Sequence, residues 1–249
     1  MNVQSLLPSR LVRNLGALER RIAAAARSAG RSPEEVRLLP VTKSVSSEVA
    51  RELAELFEEG TAELAENRAP ELEAKAAALT GGPAVRWHFI GHIQRNKARR
   101  VVRIAEVVHS VDSVRLVETL GRVAAEEGRR LAIYLQVDRT GEEQKHGLDE
   151  AELPAALAAV AAAEALELRG LMAMGPLEER AGRTARDVFD EVAALARRLE
   201  VERTDLFAGG RCELSMGMSG DLEAAVAAGS HVVRIGSSLF EGVGREPRG

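Results

Sequence analysis

Short apolar runs alternate with segments of helical periodicity along almost the whole chain. The runs predict eight strands, at 36–43, 61–67, 86–92, 107–113, 131–140, 166–175, 212–219 and 231–240. A helix or a helical turn follows each predicted strand, as in 46–60, where apolar residues recur at helical spacing and a glycine closes the segment. This alternation predicts a parallel sheet. A further helix, over 9–30, precedes the first strand.

Eight such units in 249 residues fit an α/β fold, a (β/α)8 TIM barrel with an extra N-terminal helix, and we expect one domain over 1–249. A doubly wound open sheet is the main alternative, because periodicity does not show whether a sheet closes. Polar residues near the carboxyl ends of the strands favour the barrel, which places its active site there. They are Lys43, Asn67, His92, Asp112, Asp138, Ser219 and Arg234. Pro40 removes a ladder hydrogen bond, so we expect a bulge in the first strand.

The composition excludes several classes of protein. The chain is 45% hydrophobic and 29% charged with a net charge of −4, which is ordinary for a globular protein and argues against nucleic-acid binding. Its one cysteine, Cys212, cannot form an internal disulfide, and no apolar run approaches the roughly 18 residues of a membrane helix. We therefore expect a cytoplasmic protein. The last residues, 243–249, are expected to form a disordered tail.

The stretch LLPVTKSVS, residues 38–46, ends an apolar run with a primary amine, that of Lys43. Side-chain alternation puts Leu39, Val41 and Lys43 on the same face of the predicted strand. A lysine at a strand end can extend into solvent. Alternatively, burial disfavours the ammonium form and frees the amine to attack a carbonyl carbon. Both an aldolase-type lysine and a lysine that binds pyridoxal 5′-phosphate (PLP) fit this position.

Two turns in the last quarter of the chain are candidates for a phosphate site. In LSMGMSGDLEAAV, Ser219 precedes a predicted helix, whose free backbone N–H groups favour an anion. The sequence equally allows Ser219 or Asp221 to be only a helix N-cap. HVVRIGSS repeats the arrangement, with Gly236 allowing close backbone approach and Ser237 and Ser238 offering hydroxyls to phosphate oxygens. Together the turns predict one phosphate cradle.

Arg234 lies between Val233 and Ile235, in a strand that we expect to be buried on both faces. A buried arginine must be paired. One interpretation is an ion pair with a barrel carboxylate such as Glu66 or Asp112. The other is a donor aimed at an aromatic ring nitrogen, where guanidinium would keep its proton and leave the nitrogen unprotonated.

The chain resembles the pyridoxal phosphate homeostasis proteins, single-domain barrels related to the N-terminal domain of alanine racemases. The resemblance covers about residues 10–242 and is carried by VTK (41–43), AEN (65–67), WHFIGHIQRNK (87–97), HSVDS (109–113), QVD and GEEQKHG (136–147), GLMAM (170–174), LSMGMSGDLEAAVAAGS (214–230) and VRIGSSLF (233–240). It implies that Lys43 forms an internal aldimine with PLP and that Arg234 faces the pyridine nitrogen. The other cofactor-binding residues that it implies are Asn67, Ser219, Gly236 and Ser237, with Ser215 as a weaker candidate.

The function that the resemblance implies is PLP (vitamin B6) homeostasis by a non-enzymatic PLP carrier, with PLP-dependent apoenzymes as recipients. An arginine at the ring nitrogen makes PLP a poor stabiliser of carbanions. Alanine racemases take a catalytic tyrosine from a second domain, whereas this chain has only Tyr134, within the predicted strand LAIYLQV. Its conspicuous helix faces are charged, so we expect a monomer. A PLP-dependent amino-acid racemase and a PLP-independent, Schiff-base aldolase-like barrel remain as alternatives.

Three residues depart from the family's usual pattern. Arg68 replaces a frequent tyrosine, Asp138 replaces an asparagine, and Pro40 replaces a small residue. These departures put a ring contact from position 68 in doubt and add a charge near the mouth of the barrel. None of them alters the lysine, the arginine or the phosphate turns.

The remaining candidate residues favour structural roles. His88 and His92 would share a strand face in HFIGH, but no neighbouring ligand completes a metal site, so we expect no metal. The segment QRNKARRVVR is basic but lacks interleaved aromatic residues, which favours a solvated helix face over a nucleic-acid site. Four methionines are expected to fill the barrel near the cofactor: Met172, Met174, Met216 and Met218.

Overall fold

Eight parallel strands form one sheet in the computed structural model, which describes residues 7–57, 60–140, 146–176 and 183–243. The strands are β1 (Arg37–Pro40), β2 (Ala62–Glu66), β3 (Val85–Phe89), β4 (Val107–Val111), β5 (Leu131–Gln136), β6 (Leu166–Met172), β7 (Glu213–Ser215) and β8 (Val232–Ile235). The helices are α1 (Leu7–Ser28), α2 (Ser47–Glu55), α3 (Ala69–Leu79), α4 (Ala98–Val102), α5 (Val114–Glu126), α6 (Leu153–Ala161), α7 (Ala185–Glu202) and α8 (Leu222–Ala227).

The sheet closes into a barrel between its first two strands. Hydrogen-bonded neighbours follow the order β1-β8-β7-β6-β5-β4-β3-β2. Just beyond β1, Val41 forms a parallel bridge with Ala65 of β2, and the Thr42 N–H donates to the Ala65 carbonyl over 2.9 Å. The predicted TIM barrel is therefore confirmed, and the open doubly wound sheet is wrong.

Strand β1 contains no bulge at Pro40, contrary to the prediction. It pairs with β8 in one continuous register, from Arg37 opposite Val232 to Pro40 opposite Ile235. The N–H groups of Arg37 and Val41 donate to the β8 side, so the intervening Pro40 nitrogen faces β2. Pairing with β2 begins only after Pro40, so its missing N–H removes no ladder hydrogen bond.

Most buried apolar side chains lie in one large cluster between the strands and the helices. Two smaller clusters lie on the other face of the strands, inside the barrel. They comprise Leu39, Val41, Ala65 and Val232, and Val107, Tyr134 and Met172. Buried polar side chains share this interior, among them His88, His109 and Arg234. The barrel core is thus partly polar, and its polar groups need defined partners.

Several elements end earlier than the sequence pattern predicts. Strand β1 ends at Pro40 and β3 at Phe89, so Lys43 and His92 lie in loops beyond the strands. Helix α2 begins where predicted, since the Ser46 hydroxyl accepts from the Val49 N–H over 3.4 Å. Residues 244–249 of the expected tail lie outside the described residues. None of the helices in the described ranges has both the length and the apolarity needed to span a membrane.

Candidate functional site

A cavity of about 560 Å³ opens at the carboxyl end of the barrel. The structure brings together in its wall all six residues that the sequence assigns to the cofactor site. They are Lys43, Asn67, Ser219, Arg234, Gly236 and Ser237. Ser44, Gly91 and apolar side chains, including Met172, Met174 and Met218, complete the wall. Met216 does not line the cavity but is fully buried in the large core cluster, contrary to its predicted place near the cofactor.

Lys43 lies three residues beyond the end of β1. The preceding residues are anchored on both sides, because Val41 N donates to Ile235 O over 2.8 Å and Thr42 N donates to Ala65 O over 2.9 Å. The side chain of Lys43 itself is exposed and lines the cavity. A fixed backbone therefore presents a solvent-accessible amine at the mouth of the barrel.

A buried ionic network lies next to this lysine and was missed by the sequence analysis. Lys75 Nζ, on α3, donates to Glu66 Oε1 over 2.6 Å and to Thr42 O over 2.7 Å. The Thr42 hydroxyl also donates to Glu66 Oε1 over 2.6 Å. The available signal was the position of Lys75, three residues after Leu72 and four before Leu79, on the apolar face of a predicted helix.

Arg234 is 4% exposed and has no carboxylate partner among the described residues. Glu66 pairs with Lys75 and Asp112 pairs with His92, so the predicted ion pair with either carboxylate does not form. Instead, Arg234 Nη1 donates to Ser215 O and Oγ over 2.5 and 2.9 Å, and Nη2 donates to Ala173 O over 3.0 Å. Burial lowers the pKa of Arg234 to about 10, while the charge of Asp221 acts in the opposite direction, so the guanidinium stays charged at neutral pH.

A cluster of hydroxyl groups forms another part of the cavity wall. The Ser237 hydroxyl donates to Ser219 Oγ over 2.9 Å, Ser238 Oγ lies 3.0 Å from the same oxygen, and the Ser238 N–H donates to it over 3.3 Å. Because α8 begins after Asp221, the helix N-cap position is occupied by Asp221 and not by Ser219. Arg21 of α1 fixes the turn by donating to Ser219 O over 3.0 Å. Ser238, whose hydroxyl the sequence also offers as a phosphate donor, belongs to this cluster.

Two glycines allow the cavity wall to close tightly. A Cβ atom on Gly91 would lie 1.9 Å from Asn67 O, so only glycine lets the loop after β3 approach the loop after β2. A Cβ atom on Gly236 would lie 3.0 Å from Val41 O. Both glycines stand where one strand end meets the neighbouring strand end, which explains their place in the motifs.

The other polar residues predicted near the mouth lie outside the cavity wall. Asp138 Oδ1 accepts from the Thr140 N–H over 2.8 Å and stabilises a local turn. Arg68 is exposed and pairs with Glu71 at 3.4 Å. Neither departure from the family pattern changes the described wall of the cavity.

His88 and His92 do not share a strand face, contrary to the prediction, because β3 ends at Phe89. His88 is buried, whereas His92 lies at the rim with Asp112 and His146. His92 Nδ1 lies 3.0 Å from Asp112 Oδ2, and its ring stacks on that of His146 with centroids 4.4 Å apart. The donor atoms of His92, Asp112 and His146 lie within 4.8 Å of one another, so the fold brings to His92 the acidic neighbour that the sequence pattern did not indicate.

The basic segment after β3 is partly neutralised by acidic neighbours. Arg99 pairs with Glu126 and Glu127, and Arg100 pairs with Glu73. The segment folds into a 3₁₀ turn, Arg95–Lys97, followed by α4. Arg95 and Lys97 are exposed, so the solvated helix face remains a prediction for this part of the segment.

A family model described as "Alanine racemase, N-terminal domain" matches residues 14–243. A pyridoxal phosphate homeostasis protein from Deinococcus radiodurans is 43% identical over 212 residues, covering 85% of this chain and 92% of the relative. The protein of that name from Escherichia coli is 36% identical over 235 residues, covering 92% and 95%.

The structural comparison leads to the same group of proteins. The structure of PipY from Synechococcus elongatus with PLP bound has a TM-score of 0.75 and 36% sequence identity. The match covers 88% of this chain and 99% of that one. The barrel is thus similar to a solved structure that holds PLP.

Proposed function

Since this chain belongs to the alanine racemase N-terminal domain family, we propose that it binds pyridoxal 5′-phosphate in the cavity and acts as a pyridoxal phosphate homeostasis protein. The observation that carries the proposal is that one cavity is lined by a primary amine, a buried guanidinium and a cluster of hydroxyls. When bound, the cofactor supplies an aldehyde, an aromatic ring nitrogen and a phosphate, and the cavity offers a partner for each.

Each partner has a defined task. Lys43 holds the cofactor through its Nζ atom. Arg234 donates to the ring nitrogen, and Ser219, Ser237 and the Ser238 N–H donate to phosphate oxygens. Asn67 and Gly236 shape the wall beside them. The hydroxyls are already gathered within 3.0 Å of Ser219 Oγ, so they need little rearrangement to surround a phosphate.

The protein holds the cofactor without catalysing a reaction on it. Apart from Lys43, the cavity-lining residues in the described part of the chain include no histidine, aspartate, glutamate, cysteine or tyrosine. A racemase needs a second acid–base group on the other side of its substrate. Tyr134 does not line the cavity, because its hydroxyl donates to Glu213 over 2.5 Å, and burial raises its pKa.

The exposure of Lys43 supports release of the cofactor as well as storage. An accessible amine allows PLP to enter and leave without opening the barrel. PLP-dependent apoenzymes in the cytoplasm are the proposed recipients. We place the protein among monomers, since the large exposed hydrophobic residues of the described chain are few and scattered along it. They are Val12, Phe57, Val201 and Met218.

Titration with PLP tests the proposal. The wild-type protein is expected to develop the absorption of protein-bound PLP, and Lys43→Ala to lose it. Lys97→Ala removes an exposed lysine outside the cavity and serves as the matched control, with unchanged absorption expected. A wild-type protein that binds no PLP would contradict the proposal and favour an aldolase-type lysine.

Incubation with amino acids tests the absence of catalysis. The PLP-loaded protein is incubated with L-alanine and other L-amino acids, and both enantiomers are measured over time. No enantiomer conversion above a protein-free PLP control is expected. Turnover that Lys43→Ala abolishes would replace the carrier by a racemase.

A further inference from the structure

Four buried polar side chains form a continuous line of hydrogen bonds through the barrel interior. Arg234 Nη1 donates to Ser215 Oγ over 2.9 Å, and Ser215 Oγ lies 2.8 Å from His109 Nδ1. His109 Nε2 lies 2.8 Å from His88 Nδ1. We call Ser215, His109 and His88 the Ser–His–His network. Its members come from β7, β4 and β3, and none exposes more than 4% of its surface.

Arg234 decides the direction of every hydrogen bond in this network. A guanidinium offers only donors, so Ser215 Oγ accepts from Arg234 and has one proton left to donate. His109 Nδ1 accepts the hydrogen bond that the Ser215 hydroxyl donates, so the ring proton of His109 lies on Nε2. His109 Nε2 then donates to His88 Nδ1, so His88 also carries its proton on Nε2.

The opposite direction is unfavourable at both ends of the network. With the His109 proton on Nδ1, Ser215 Oγ would accept two hydrogen bonds, and its own proton would have no acceptor among the described residues. His88 Nε2 would become a bare lone pair 3.9 Å from Glu63 Oε1. In the direction set by Arg234, the same atom is an N–H near a carboxylate. That N–H is buried and has no hydrogen-bond partner in the described chain, so the carboxylate is its nearest compensation.

Both histidines of the network are neutral, as one proton per ring requires. Burial lowers the pKa of His88 to about 3, and nearby arginine charges act in the same direction. Burial also lowers the pKa of His109 well below its usual value. The His109 ring stacks on Tyr134 with centroids 4.4 Å apart, a contact that restrains rotation of the ring.

We propose that Ser215 and His109 are positioning residues, which hold Arg234 toward the ring nitrogen of the cofactor without supplying a negative charge. A carboxylate would neutralise the guanidinium, whereas a hydroxyl and backbone carbonyls orient it and leave its charge intact. Three of its five N–H groups are used by Ser215 O, Ser215 Oγ and Ala173 O, and the other two have no acceptor among the described residues. The inference rests on the proposed function only for the identity of that ligand.

Nuclear magnetic resonance of the histidine rings tests the network in the cofactor-free protein. Long-range ¹H–¹⁵N correlation spectra of ¹⁵N-histidine-labelled protein show which ring nitrogen carries the proton. His88 and His109 are expected to be protonated on Nε2. His92 serves as an internal reference of the opposite kind, because its Nδ1 faces the Asp112 carboxylate and must donate. Protonation of His109 on Nδ1 would overturn the inference whether or not the protein binds PLP.

A serine variant tests the positioning of Arg234. Ser215→Ala leaves a buried arginine N–H without its acceptor, and we expect PLP affinity to fall about tenfold or more, with a shifted His109 Nδ1 resonance. Ser230→Ala is the matched control, since Ser230 is equally buried and its hydroxyl contacts only backbone groups of Leu214, Met216 and Val232. Equal PLP affinity in Ser215→Ala and Ser230→Ala would refute the positioning role. A wild-type protein that binds no PLP but shows the expected tautomers would refute the proposed function alone.

Discussion

Lys75 and Glu66 form an ion pair inside the protein, with 2.6 Å between Lys75 Nζ and Glu66 Oε1 and with side chains 7% and 0% exposed. The same ammonium group donates to the carbonyl of Thr42, the residue before Lys43. The pair thus joins α3 and β2 to the loop that carries the cavity amine. Neither member lines the cavity, so its contribution is structural.

Lys75→Met tests this ion pair. Removing the cation leaves the Glu66 carboxylate buried with only neutral hydrogen-bond donors, and the variant is expected to lose about 3–5 kcal/mol of unfolding free energy. Arg122→Met removes an exposed partner of Glu126 and is expected to cost less than about 1 kcal/mol. Urea denaturation of both variants measures the difference. Equal losses of unfolding free energy in the two variants would show that the buried ion pair contributes no more to stability than the exposed one.

Gly91→Ala tests the close approach of two loops at the cavity. The added Cβ atom would lie 1.9 Å from Asn67 O, so the Asn67 loop must move. PLP affinity, measured by absorption titration, is expected to fall about tenfold or more because the cavity wall is displaced. Gly16→Ala, in the middle of α1, meets no atom closer than 3.5 Å and should leave the affinity unchanged. Unchanged binding in Gly91→Ala would mean that the Asn67 loop does not contribute to the site.

The buried histidines predict a loss of stability in acid. His88 has a folded-state pKa of about 3, whereas it titrates near 6.5 in an unfolded chain. Between these values the unfolded state binds one more proton, so the unfolding free energy falls as the pH falls below about 6.5. His88→Gln should reduce this slope by about 1.4 kcal/mol per pH unit. Urea denaturation at a series of pH values measures the slopes, and parallel profiles would contradict a neutral, buried His88.

A double-mutant cycle tests whether Ser215 and His109 act as one unit. Each of Ser215→Ala and His109→Phe interrupts the same hydrogen-bonded line to Arg234, and phenylalanine keeps the stacking on Tyr134. The fold-loss of PLP affinity in the double variant should therefore be smaller than the product of the fold-losses in the two single variants. Affinities that multiply independently would show that the two residues act separately.

Much of the fold and of the cavity wall follows from the sequence for physical reasons. Lys43 and Arg234 stand out as charged groups in apolar runs, because burying a charge is costly unless it has a partner. The turns at Ser219 and Gly236 are visible through their small residues. Closure of the barrel cannot be predicted from the sequence. It depends on the bridge between Val41 and Ala65, and periodicity does not encode pairing between strands.

The residues that the sequence did not reveal act through tertiary contacts. Lys75 lies on the apolar face of a predicted helix, but its partner is defined only when α3 packs against Glu66. His109 acquires partners only when β4, β3 and β7 surround one interior. Pro40 appeared disruptive because the sequence does not show which side of β1 its nitrogen faces.

Chemical trapping of the cofactor tests the central claim, that Lys43 holds PLP. The PLP-loaded protein is reduced with borohydride, digested and analysed by mass spectrometry. The chain has four lysines, Lys43, Lys75, Lys97 and Lys145, so the modified position is unambiguous. We predict near-stoichiometric pyridoxyl modification of Lys43 and none after Lys43→Ala. Equal labelling of another lysine, or undiminished labelling in Lys43→Ala, would contradict the account.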